Sequence, residues 1–239
     1  MHINQLNIHN LTSLWKKYGA DVVAGEKNSR LMASKSWPYR AWVEGKPNLE
    51  LQLKHTPQTH RLCTWFEVTK DNENADALEQ VKNHWLVEFE QTAMSIPLSS
   101  YQEPDTQHPN FVIERVTNPV QLNDWLVISS EAFKYNIDEK VFTPLLHDTD
   151  IEIYIGKVDG KPALSALLFK TGNVTGLHQM GVSKAFQGQG LAKKTMHFLL
   201  NRAKQQSEYM VLQASEMGLP LYRSLGFEPL FELTYFKAK

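Results

Sequence analysis

The sequence predicts an α+β protein in which helices cover a mixed sheet. Apolar residues recur at helical spacing over 3–17, 75–89, 120–133 and 190–203. Short apolar or alternating runs separate these stretches and read as strands. Asp159-Gly160 joins two of those runs directly, which is a strong hairpin signal.

The elements follow in order. Leu6, Ile8, Leu11, Leu14 and Trp15 give the first helix its apolar positions. Strands are expected at 40–43, 49–53 and 62–68. The strict alternation of Leu49-Glu50-Leu51-Gln52-Leu53 argues for a half-buried strand. A helix over 75–89 would carry Leu78, Val81, Trp85 and Phe89 on one face. The stretch 96–110 holds three prolines among polar residues and reads as a linker. Beyond it come a strand at 111–115, a helix at 120–133 and a short helix at 141–146. Strands follow at 151–158, 162–170 and 174–182. The helix 190–203 should bury Leu191, Thr195, Phe198 and Leu199, with Lys193, Lys194 and Arg202 facing solvent. A strand at 209–212, a short helix at 219–225 and a strand at 232–236 complete the chain. The expected organisation is an N-terminal α+β region (1–95), a linker (96–110) and a second domain (111–239), with no evident internal repeat.

Composition narrows the function. The 239 residues are 42% hydrophobic and 21% charged, with a net charge of −1, as in an ordinary globular protein. No basic excess points to nucleic acid, and no apolar run is long enough to span a membrane. The 9 histidines show no zinc-site spacing. Cys63 is the only cysteine and reads as core filler in a reducing compartment. No leader pattern is seen at Met1-His2-Ile3-Asn4, so a cytoplasmic protein is expected.

The chemistry concentrates in Gln187-Gly188-Gln189-Gly190-Leu191-Ala192, where a strand-like run gives way to a helix. Glycines let the backbone approach an anion, and the N–H groups of a helix start point at it. A P-loop is excluded because no Gly-Lys-Ser/Thr follows. A dinucleotide fingerprint fits poorly because Lys193 stands where a small residue is needed.

These residues resemble the Gln/Arg-x-x-Gly-x-Gly/Ala pattern of the GNAT superfamily of N-acetyltransferases. Val182 ends a strand five positions before Gln187, which is the family's spacing. Downstream, Ala214-Ser215-Glu216-Met217-Gly218-Leu219-Pro220-Leu221-Tyr222-Arg223-Ser224-Leu225-Gly226-Phe227 resembles the family's second signature: a strand, a short helix carrying a tyrosine, then Leu-Gly-Phe. The resemblance covers 110–239. It implies the GNAT acyl-CoA N-acyltransferase fold there and acetyl-CoA as cosubstrate, with no metal. The N-terminal region is open to three readings: a degenerate copy of the same fold, a wall of the acceptor cleft, or a homodimer contact.

By the same resemblance, Gln187, Gly188, Gln189, Gly190, Leu191, Ala192 and Lys193 hold the coenzyme diphosphate. Backbone groups of Met180, Gly181 and Val182 line the pantetheine arm, and the N–H near Met180 polarises the thioester carbonyl. Tyr222 is the expected proton donor to the leaving thiolate, since a phenol stays protonated at neutral pH. Strand alternation puts Gly176, His178, Met180 and Val182 on one face. Gly176 stands where some members carry a glutamate base. His178 stands where arylalkylamine-type members carry a histidine, so it is the expected base. Glu131 and Glu216 are weaker choices for base or amine recognition. Ser215 either contacts coenzyme or caps the turn before Leu219. The expected reaction is direct acetyl transfer to a small-molecule or peptide primary amine. The alternatives are another acyl-CoA donor, or a coenzyme-binding sensor with an N-terminal interaction region.

Overall fold

The chain follows one path twice. The computed structural model describes residues 2–65, 73–102 and 110–239. The first path runs through α1 (Ile3–Lys17), β1 (Ala20–Glu26), β2 (Ser29–Ser34), β3 (Arg40–Gly45), α2 (Leu49–His55), β4 (Arg61–Trp65), α3 (Glu73–His84) and β5 (Trp85–Pro97). The second runs through β6 (Phe111–Arg115), α4 (Pro119–Phe133), α5 (Glu139–Phe142), β7 (Ile151–Val158), β8 (Lys161–Thr171), β9 (Val174–Val182), α6 (Leu191–Lys204), β10 (Tyr209–Ala214), α7 (Leu219–Ser224) and β11 (Glu228–Ala238). In the first path, β1, β2 and β3 form an antiparallel meander, and β4 returns parallel to β3. In the second, β7, β8 and β9 form the meander, and β10 returns parallel to β9. The repeat is one of topology, which is why no sequence repeat announces it.

The chain divides into two compact units, 1–94 with 213–239, and 95–212. These differ from the boundaries read from the sequence because the last strand belongs to the first unit. There β11 pairs antiparallel with β4, from Leu233 opposite Trp65 to Phe236 opposite Leu62. Phe236 completes a core of Leu62, Val81 and Trp85. The strand order is β1-β2-β3-β4-β11-β5 in the first unit and β10-β9-β8-β7-β6 in the second.

Three expectations are corrected in the first unit. Residues 49–53 are helical, not extended. The Asn48 side chain accepts from Leu51 N at 2.9 Å and starts α2. Leu49 and Leu53, one turn apart, both pack on the Leu62–Phe236 core, so their spacing suits a helix as well as a strand. The expected helix 75–89 stops at His84, where β5 begins. Phe89 therefore leaves from a strand and stacks on Tyr235 at 4.3 Å. Neither β1 nor β2 is expected from the sequence; β1 is mostly exposed and carries little apolar alternation. Residues 66–68 of the expected strand 62–68 lie outside the described residues. The expected linker begins on the end of β5, with Leu98 and Tyr101 buried, and its residues 103–109 also lie outside them.

In the second unit α6 buries Leu191, Thr195, Met196, Leu199, Leu200 and Ala203. Phe198, expected inside, is 37% exposed and meets Tyr154 edge-on at 5.3 Å. Arg202, expected in solvent, anchors the helix instead. Its guanidinium bonds the buried Glu152 carboxylate through Nε and Nη2, and Tyr154 OH donates to the same carboxylate at 2.8 Å. Burial pushes the Glu152 carboxyl up, but the Arg202 and Tyr154 hydrogen bonds and the Arg202 charge outweigh it, leaving the group below its ordinary 4.5.

A depressed carboxyl stabilises the fold above its unfolded pKa, and that stability is lost as pH falls through the folded value. Arg202→Met should therefore cost roughly 3 kcal/mol at neutral pH. The difference in urea midpoint between wild type and variant should narrow as pH is taken below 4.5. A pH-independent difference would show that the Glu152 charge is not involved.

Candidate active site

The site in the second unit is built where β9 loses one of its two partners. Pairing with β10 runs from Val174 opposite Tyr209 to Leu177 opposite Leu212 and ends there. On its other edge β9 stays with β8, but with a change of register. Leu167 pairs with His178 and Ser165 with Gly181, so Gln179 and Met180 together face Ala166. This is a β-bulge, an extra residue that bends the strand. Gln179 adopts the left-handed conformation at φ 49°, uncommon for a residue with a side chain.

Side chains from α4 and β8 hold the bulge. Ser165 Oγ donates to the Gln179 carbonyl at 3.0 Å. Ser129 Oγ donates to Gln179 Oε1 at 3.1 Å, and Gln179 Nε2 donates to Tyr135 OH at 3.3 Å. Trp125 Nε1 donates to the carbonyl of Ala166, the residue facing the bulge, at 3.1 Å. Ser129, Ser165 and Trp125 are all fully buried. Sequence reasoning missed Gln179, Ser165 and Ser129, because a bulge leaves no mark on hydrophobic alternation.

The bulge overturns one expectation. Gly176, His178, Met180 and Val182 do not share a face, since the extra residue shifts the parity after His178. Burial changes at the same point: β9 is buried through His178 and half-exposed from Gln179. Gly181 has a packing reason for its identity. A Cβ there would lie 2.5 Å from the Ala132 Cβ on α4.

Past β9, the chain enters the glycine loop through a clasp. Glu131 on α4 accepts from Ser183 Oγ at 2.9 Å and from Lys184 N at 3.0 Å. Both its carboxylate oxygens are thus used in holding the loop, a different task from the base or amine-recognition role considered for it. Gln187 Nε2 donates to the Val182 carbonyl at 3.2 Å, so this side chain braces the loop across its own base.

Gly188 and Gly190 then take left-handed φ of 76° and 74°, and a Cβ on either would meet open space. Gly190 is the N-cap of α6 and no side chain caps it. The helical bonding ladder begins with Lys194 N to Gly190 O at 3.2 Å, so the N–H groups of Leu191, Ala192 and Lys193 precede it. These N–H groups, the open glycines and the helix dipole form a cradle that suits an anion. Gln189 and Lys193 are exposed beside it. The first path offers the contrast. At its β3–α2 turn Asn48 caps the helix, and a Cβ on Gly45 would strike the Asn28 carbonyl at 2.3 Å.

His178 is 9% exposed, and burial pushes its imidazole down to about 3. The ring is therefore neutral and a poor store for a proton, which argues against the expected base role.

The first unit carries the second signature. Tyr222 on α7 is half-buried, and desolvation pushes its phenol up to about 12, so it stays protonated. Its ring meets Phe227 edge-on at 5.7 Å. A Cβ on Gly218 would lie 3.2 Å from the Tyr222 ring. Ser215 Oγ accepts from Gly218 N at 3.3 Å, which is the turn-capping alternative. Glu216 is exposed. Cys63 on β4 is buried and its thiol is pushed up to about 12 by burial, which disfavours the nucleophilic thiolate. Among the described residues no cluster of three or more His, Cys, Asp or Glu is placed to hold a metal, and no helix is long and apolar enough to cross a membrane.

The last strand of the meander thus parts from its parallel neighbour and leads to an uncapped glycine cradle. The domain family described as "Acetyltransferase (GNAT) domain" matches residues 112–238, more than half of the chain. The chain belongs to the GNAT acetyltransferase family and is an acyltransferase of that fold. A GCN5-related N-acetyltransferase from Kribbella flavida is 15% identical at a TM-score of 0.70, covering 98% of this chain and 94% of its own. A functionally unknown conserved protein from Staphylococcus epidermidis is 16% identical at 0.65, covering 93% and 95%. At these identities the likeness is one of fold. No curated protein sequence matches the chain.

The glycines separate by mechanism. Gly181→Ala should lower stability by about 1–3 kcal/mol through overpacking against α4. Gly188→Ala, with room for its methyl, should cost only about 1–2 kcal/mol of left-handed strain. Urea titration of both variants checks this. A Gly181→Ala loss well below about 1 kcal/mol would show that Gly181 is not set by packing.

Proposed function

We propose that this acyltransferase moves an acetyl group from acetyl-CoA to a primary amine by direct attack. The observation that carries the reading is the uncapped start of α6 with its two open left-handed glycines. It follows directly on the stretch of β9 that has left β10. Gly188 through Lys193 would hold the diphosphate, and the backbone of Met180 to Val182 would run beside the pantetheine arm as a neighbouring strand does. Gln187 supports the loop from behind, and Glu131 fixes its start.

Acetyl-CoA supplies the activated thioester. The amine nitrogen bonds to the acetyl carbon, the carbon–sulfur bond breaks, and the sulfur leaves with the electron pair. The N–H of Met180 meets the charge that develops on the carbonyl oxygen. Tyr222, held protonated, gives the departing sulfur its proton. The amine's proton passes to water. His178 is proposed as a neutral hydrogen-bond partner of the amine, since an imidazolium is disfavoured at that depth. The buried Cys63 takes no part in this proposal, so no acyl-cysteine is formed.

The weak base at His178, together with Gly176 where a glutamate base would stand, favours one further reading: a coenzyme-binding sensor. Thiol release from acetyl-CoA with a panel of amines, with mass detection of acetylated product, separates the two. Tight coenzyme binding without thiol release across the panel would sink the enzyme reading.

Tyr222→Phe should lower kcat on the order of 10²-fold while leaving coenzyme affinity in place. With the phenol pushed up to about 12, the wild-type kcat should show no falling limb from Tyr222 between neutral pH and about pH 10. His178→Gln should weaken kcat/KM for the amine without moving its acid limb. A limb that disappears in this variant would restore the histidine as base.

A further inference from the structure

The geometry points to Ser165 and Gln179 as positioning residues that tune the bulge peptide for catalysis. The inference rests on the acyltransferase reading above, in which the Met180 N–H faces the thioester carbonyl. The Gln179 carbonyl and the Met180 N–H belong to one peptide group. Ser165 Oγ donates to that carbonyl at 3.0 Å from a fully buried position. A hydrogen bond accepted at the oxygen of a peptide polarises it and makes its N–H a stronger donor. The peptide is thus polarised in advance in the sense the reaction needs, at no cost when the reaction occurs.

Orientation comes from the side chain of Gln179. Its amide is tied to Ser129 on α4 and to Tyr135 just beyond that helix. These bonds hold a left-handed φ of 49° that glutamine does not otherwise favour. The indole of Trp125 takes the Ala166 carbonyl opposite, so the bulge is bonded from both strands. The corresponding strand of the first path, β3, pairs with β2 in unbroken register from Ser29 opposite Gly45 to Ala33 opposite Ala41. The extra residue and its bonds therefore belong to the path that carries the cradle.

The test uses acetyl-CoA labelled with carbon-13 at the thioester carbonyl, bound to the full chain and followed by isotope-edited infrared spectroscopy. The wild-type protein should shift the carbonyl band to lower frequency. Ser165→Ala removes the polarising bond. Gln179→Gly removes the side-chain ties but suits the left-handed backbone. Both should lose most of the shift and lower kcat roughly five- to ten-fold, with affinity for free coenzyme A unchanged. Where Ser165→Ala does not fold, Gln179→Gly and Ser129→Ala carry the same expectation. A wild-type shift retained in folded variants overturns the inference, as does a joint loss of stability and coenzyme affinity, which marks a purely structural role. Wild-type protein that binds no acetyl-CoA overturns the acyltransferase reading, and this inference with it. Wild-type protein that binds it without a band shift overturns the inference alone.

Discussion

One residue too many in β9 sets the terms for the second unit. Strand β9 is parallel to β10 only as far as Leu177, and two residues later it bulges away from strict register with β8. A strand that leaves its neighbour exposes backbone groups, and a bulge leaves ladder groups to be satisfied some other way. Helix α4 answers much of that demand through Trp125, Ser129 and Glu131, which bind successive points along the β8–β9 hairpin and the loop after it. Gly181 permits the approach, since any side chain there would collide with Ala132. The helix, the bulge and the loop start are therefore one construction.

The two paths differ at the turn that joins each meander to the helix after it. Both run a meander into a helix and back to a parallel strand. In the first, Asn48 caps α2, and backbone fills the space around Gly45. In the second, Gly190 caps α6 with nothing, and Gly188 and Gly190 stand in open space. Capping stabilises a helix start by about 1 kcal/mol, so leaving α6 uncapped forgoes stability. A ligand anion that meets the same N–H groups recovers it. The degenerate-copy reading of the N-terminal region gains its support from this shared path.

Legibility in the sequence followed the physics of each signal. The glycine cradle was readable because Gly-x-Gly before an amphipathic helix has a local cause, and the Leu-Gly-Phe signature fixed its context. Helices α1, α4 and α6 were readable from apolar spacing alone. The stretch 49–53 was not, since leucines at 49, 51 and 53 satisfy both periods until Asn48 is seen to cap. The shift from α3 to β5 hid behind Val81 and Trp85, which are buried under either assignment. The place of β11 beside β4 was beyond reach, because that pairing joins residues far apart in sequence with no local mark. Gln179 was illegible for the opposite reason: its role comes from a single φ and from partners on two other elements.

Burial also decides which protonation states the chemistry has at its disposal. His178 is driven to the neutral imidazole, Tyr222 to the neutral phenol and Cys63 to the neutral thiol. Each shift has desolvation as its largest cause, and each removes a charge that the side chain would otherwise carry at some pH. A mechanism that needed a stored imidazolium or a thiolate nucleophile would work against these environments. The direct attack proposed above, by an amine on a thioester, needs neither. Its charge appears on the carbonyl oxygen and the departing sulfur, where a peptide N–H and a protonated phenol are the fitting partners. The remaining demand is removal of the amine's proton, and a neutral His178 with a depressed pKa leaves that to solvent. On the proposed reaction, acceptor amines with a lower pKa, already neutral in greater fraction at working pH, are the better substrates.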